Sequence, residues 1–108
     1  MLLRHATLAR NLNNILRNGL LAAKSRGKLR AVWAVGCHLT HWAIAHVVRR
    51  HGGRIESTVV LEIDVPRAWL RKHGGVARGL WYSLRDVPAA RIKRVITFGE
   101  LSRYPVQC

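Results

Sequence analysis

Polar and apolar positions alternate most regularly over residues 56–65, ESTVVLEIDV. One parity holds Ser57, Val59, Leu61, Ile63 and Val65, and the other Glu56, Thr58, Val60, Glu62 and Asp64. A period of two predicts a strand with one face on a core and the other toward solvent or a site. The spacing changes to helical near the start of the chain. Leu2 and Leu3 open a short strand ending near His5, Thr7 reads as a helix N-cap, and Leu8, Leu12, Ile15 and Leu16 follow on one face. Arg10, Asn13, Asn14 and Arg17 take the other face, and Gly19 is placed to end the helix.

The remaining chain yields shorter units. Residues 22–30 read as a basic loop and 31–35 as a short buried strand broken by Gly36. Thr40 caps a second helix running to about Arg50, with Ile44, Ala45, Val47 and Val48 on its apolar face and Gly52-Gly53 after it. Pro66 fits the first position of a short helical turn, and Gly74-Gly75 a loop. Residues 77–84 and 91–98 read as two more strands, and the tail after Glu100 as irregular. Helices in the first half and strands in the second predict a single α+β domain over residues 1–108. Its sheet is mostly antiparallel, with two helices from the N-terminal half.

Composition sharpens this. Nearly half of the 108 residues are hydrophobic, enough for a packed core, yet the net charge is +14. Fifteen of nineteen basic residues are Arg, and no Asp or Glu occurs before Glu56. The acid-free stretch carries Arg4, Arg10, Arg17, Lys24, Arg26, Lys28, Arg30, Arg49, Arg50 and Arg54. Such charge repels itself, and a phosphate-bearing partner relieves it while releasing counterions. The guanidinium fork suits phosphate. A GC-rich genome would also favour Arg codons. Nucleic acid is the expected partner, an acidic protein the alternative. No run is long enough to span a membrane. Cys37 and Cys108, far apart in sequence, make no disulfide framework, and a reducing cytoplasm is the simpler expectation.

Candidate chemistry is sparse. His38, His41, His46 and His51 cluster near Cys37, but spacings of five turn successive rings off one helix face, so no metal is expected. There is no phosphate loop of the P-loop or dinucleotide type. Glu62 and Asp64 share one strand face about 7 Å apart. They are expected to pair with arginines on neighbouring elements rather than act as an acid–base pair. Trp33 and Trp69 are expected in the core. Trp81 and Tyr82, adjacent on a strand, point to opposite faces, so one of them is expected at the surface or in a cleft.

The opening RHATLARNLNNILRNGLLA resembles the first motif of the ADP-ribosyltransferase-like superfamily: a strand ending in H-x-T, a helix with N-L-x-x-I-L, then G-L. Here these are His5-Ala6-Thr7, Asn11-Leu12 with Ile15-Leu16, and Gly19-Leu20. The following AVWAV and THWAIAHVV are similar to the family's second strand and helix. The resemblance implies NAD as cofactor, with His5 and Thr7 at the nicotinamide ribose, Trp33 on the nicotinamide and Arg4 beside them. Where the family carries a late-strand Glu, this chain has Trp81, Tyr82 and Ser83, with Asp86 beyond. Tyr82 then stands in the catalytic position beside His5 and Thr7. The expectation is an ADP-ribosyltransferase-like domain that binds or modifies nucleic acid. The alternatives are a non-catalytic module using an Arg-rich surface and an adaptor on an acidic protein. Arg10, Arg17, Lys24, Arg26, Lys28, Arg30, Arg49, Arg50 and Arg54 are the nucleic-acid contacts expected.

Overall fold

The computed structural model describes residues 1–25, 29–73 and 78–103. Arg26 and Lys28, the expected loop at Gly74-Gly75 and Cys108 lie outside them. The fold is α+β. Strands β1 (Leu2–Leu8), β2 (Val32–Val35), β3 (Thr58–Asp64), β4 (Leu70–Lys72), β5 (Leu80–Ser83) and β6 (Ile92–Thr97) form one antiparallel sheet in the order β4-β5-β2-β1-β3-β6. Helices α1 (Leu12–Asn18), α2 (Thr40–His51) and α3 (Phe98–Arg103) cover it.

Both faces are buried, because helices lie on each. On one face Leu3, Leu61 and Ile63 pack with Ile15 of α1 and with Val32, Ala34, Leu70 and Trp81. On the other, Val60 and Ile96 pack with Ile44 of α2 and Leu101 of α3. The expectation that β3 shows one face to solvent or a site is therefore corrected: Thr58 and Val60, on the second parity, are as buried as Leu61. Leu61 and Ile63 are fully buried, each contributing about 1.5–3 kcal/mol by burial.

Other boundaries shift for local reasons. Thr7 does not cap a helix; β1 runs on through it, and Thr7 pairs with Val59. A β-branched residue suits a strand as well as a cap, and seven cross-strand pairs with β3 decide for the strand. Thr40 donates its hydroxyl to the Cys37 carbonyl at 2.6 Å at the start of α2. Gly19 and Gly52 close α1 and α2 at φ 79° and 71°. The turn after Pro66 is a single 3-10 turn, Arg67–Trp69, leading into β4, a strand too short to show periodicity. Phe98, expected to end the last strand, instead starts α3, which runs through Arg103 into the tail expected to be irregular. Cys37 is disulfide-bonded, where the sequence was expected to hold no disulfide framework. Among the described residues no helix is long and apolar enough to cross a membrane.

The carboxylates of β3 are taken up by neighbours. Glu62 Oε2 lies 3.0 Å from Nη2 of Arg4, its cross-strand partner on β1, as expected for an arginine on an adjacent element. Asp64 instead accepts from the Met1 ammonium at 3.1 Å. Asp86 accepts from the Ala22 amide at 2.8 Å, beside the reciprocal backbone bonds of Leu20 and Val87 that tie the end of α1 to the β5–β6 connection.

Candidate functional site

The sheet is weakest at its middle. Strand β1 pairs with β3 over seven residues but with β2 at one position, Arg4 with Val35. Continuing that register would set His5 against Ala34 and Ala6 against Trp33. Instead the His5 imidazole reaches the Trp33 carbonyl, with Nδ1 to oxygen at 2.6 Å. The strands diverge beyond it, and the space between them, closed by α1 and α2, is a cleft of about 580 Å³.

His5 lines this cleft. A carbonyl oxygen only accepts, so Nδ1 carries the proton and donates, which leaves Nε2 as an acceptor in the neutral ring. Burial holds the His5 pKa below its ordinary value, against the opposing pull of the Trp33 bond. Thr7, nearly buried, lines the cleft on the same strand, and Trp33 faces it from β2.

Helix α2 supplies a second wall. Trp42, His46 and Arg50 recur every four residues, and all three line the cleft. The rings of Trp42 and His46 stack at 5.3 Å with planes 13° apart. Partial desolvation pushes the His46 pKa down, and the charges of Arg49 and Arg50 push the same way. Trp42 remains 37% exposed where it lines the cleft.

The cleft is one-sided in charge. Arg4, Arg10, Lys24 and Arg50 line it, and no Asp or Glu does. Arg4 is buried and neutralised by Glu62, while its Nη1 has no hydrogen-bond partner. Arg10, Lys24 and Arg50 form no ion pair among the described residues. Three uncompensated cations around an apolar floor favour an anion with a planar apolar part. No carboxylate is at hand there for acid–base work.

The expected site residues divide accordingly. Arg4, His5, Thr7 and Trp33 share the cleft, as do Arg10, Lys24 and Arg50 of the expected nucleic-acid contacts. Tyr82 does not line it. It is the cross-strand partner of Trp33 and packs against that ring at 5.1 Å. His73 meets the same indole edge-on at 5.7 Å. Trp33, expected in the core, is half-buried, and of the adjacent pair Trp81 is buried and Tyr82 half-buried. Arg17, Arg49 and Arg54 are exposed outside the cleft, and Arg30 donates to the Ala23 carbonyl at 2.5 Å. Trp42, His46 and Asn14 also line the cleft, although none of them is among the expected site residues. The first two were legible as a four-residue repeat with Arg50, obscured by the five-residue repeat of His41, His46 and His51. Among the described residues no group of three or more His, Cys, Asp or Glu is placed to hold a metal, and His38 Nε2 lies 3.0 Å from the Arg78 carbonyl.

No protein-family model matches the sequence, and no curated protein matches it.

Proposed function

We propose that this protein binds nucleic acid, taking one phosphate-bearing nucleotide unit into the cleft between β1 and β2. The observation that carries the reading is a cleft lined by Arg10, Lys24 and Arg50 without a single carboxylate. Phosphate would neutralise these cations, and a base would stack on the exposed ring of Trp42. Neutral His5 offers Nε2 to a hydroxyl, as on a ribose.

The test is a salt series with a labelled single-stranded oligonucleotide. Binding should weaken steeply as salt rises, and Arg10→Gln with Arg50→Gln should flatten that dependence. Affinity indifferent to salt rejects the reading. An acidic-protein adaptor would instead bind polyglutamate and not the oligonucleotide.

A second reading has one observation in its favour: His5, Thr7 and Trp33, the residues carried over from the ADP-ribosyltransferase-like resemblance, line the same cleft. In that reading NAD enters the cleft. Transfer chemistry is the weaker part of it, because Tyr82 does not line the cleft and no carboxylate takes its place. Calorimetric titration of NAD into the wild type and His5→Ala separates the readings; no heat with either protein sinks this one.

A further inference from the structure

Outside the cleft, four cations lie over two tryptophans, Trp81 on β5 and Trp69 in the turn before β4. The Arg67 guanidinium sits 4.6 Å from the Trp81 ring centroid, with the Lys72 ammonium at 5.8 Å. The Arg85 guanidinium sits 4.2 Å from the Trp69 ring, with Arg91 at 5.6 Å. None of these residues lines the cleft.

We propose that Arg67, Lys72, Arg85 and Arg91 form a second nucleic-acid contact that tracks the phosphate backbone without reading bases. This rests on the nucleic-acid reading of the protein and assigns it a surface beyond the cleft.

The argument is geometric. A guanidinium stacked on an indole has its flat face satisfied but keeps its in-plane N–H donors for a partner. Arg67, Lys72 and Arg85 are exposed, and the four cations make no ion pair among the described residues. Arg67 makes one long bond, 3.5 Å, to the Leu70 carbonyl. The acids nearby are occupied: Asp86 accepts from the Ala22 amide, and Asp64, whose charge Arg91 feels, holds the Met1 ammonium. Stacking also fixes long side chains in place, so less rotamer freedom is lost when phosphate binds. The indole faces are already covered by cations, and Trp81 is only 8% exposed, so bases have no platform here. The cleft differs in this respect, because Trp42 is open.

Fluorescence anisotropy on single-stranded dT and dA oligonucleotides across a salt series tests this. The double variant Arg67→Gln with Arg85→Gln should lower the slope of log K against log salt by about 1.4, at roughly 0.7 per phosphate released. Affinity for dT and dA should fall by the same factor. Lys72→Gln and Arg91→Gln, farther from the rings, should each remove about 0.7 and serve if the double variant does not fold. Unchanged slopes in variants with intact near-ultraviolet tryptophan dichroism overturn the inference: the cations then only shield indoles. If Arg10→Gln with Arg50→Gln loses binding while these variants do not, the inference fails and the cleft reading stands. If the wild type binds no oligonucleotide at low salt, both fail. If polyglutamate binds as tightly, with the same loss in Arg67→Gln with Arg85→Gln, the surface fits an acidic protein and the inference is overturned.

Discussion

The Nδ1 of His5 donates to the Trp33 carbonyl oxygen at 2.6 Å, a side-chain bond standing where the β1–β2 ladder would otherwise continue. It joins the two halves of the sheet while leaving them apart. In His5→Phe the carbonyl loses that donor, and the expected cost is about 1–2 kcal/mol in urea unfolding. An unchanged midpoint would mean that backbone pairing replaces the bond.

The same residue sets an acid limit. Burial lowers the folded-state pKa of His5 below its ordinary 6.5. The unfolded chain therefore binds a proton first as pH falls. The contribution of neutral His5 is complete above about pH 6.5 and is lost as pH drops toward the folded value. His46 is shifted in the same direction but is exposed, so its share is smaller. The melting temperature should decline between pH 6.5 and 5, above the carboxylate range. His5→Phe should flatten that decline; an equally steep decline in the variant would place the acid sensitivity elsewhere.

Arg4 and Glu62 are a buried pair, with side chains 6% and 18% exposed. Glu62→Leu strands the guanidinium, and a loss of about 3–5 kcal/mol is expected. Replacing both, Arg4→Met with Glu62→Leu, should recover most of it. A double variant as unstable as the single one would show that the pair does more than cancel charge.

Gly19 and Gly52 occupy the same glycine-specific backbone region, at φ 79° with ψ −173° and φ 71° with ψ −175°. Only Gly19 is crowded. A Cβ there would collide with the Val87 carbonyl oxygen, whereas one on Gly52 meets nothing within 4 Å. Gly52→Ala should cost about 1–3 kcal/mol from backbone strain, and Gly19→Ala distinctly more. Equal losses by thermal denaturation would contradict the clash.

Trp42 offers the open ring of the cleft. Trp42→Ala should weaken single-strand binding by about 1–3 kcal/mol and leave the salt slope unchanged, since no charge is removed. A change in slope without loss of affinity would contradict base stacking there.

Much of the fold was readable from local signals. The alternation in residues 56–65 marks β3, and the four-residue apolar spacing marks α2. Gly19 and Gly52 mark where α1 and α2 stop. What could not be read has specific causes. Thr7 suits a cap and a strand equally, and only pairing with Val59 decides between them. β4 has three residues, too few for any period. The second face of β3 looked free because its cover, Ile44 and Leu101, comes from two other elements, α2 before it and α3 well after it in the chain.

The candidate site divides in the same way. The sequence by itself determined that the first 55 residues carry unopposed positive charge and that His5, Thr7 and Trp33 sit on or beside early strands. Only the tertiary structure decided that Arg10, Lys24 and Arg50 share a cleft while Arg17, Arg49 and Arg54 do not, and that Tyr82 packs against Trp33 outside it. Local spacing fixes which side of an element a residue occupies. Where a cleft opens depends on which strands pair and which diverge. Here β1 pairs along its length with β3 and pairs with β2 in the backbone ladder at Arg4 alone, and no local pattern records that choice.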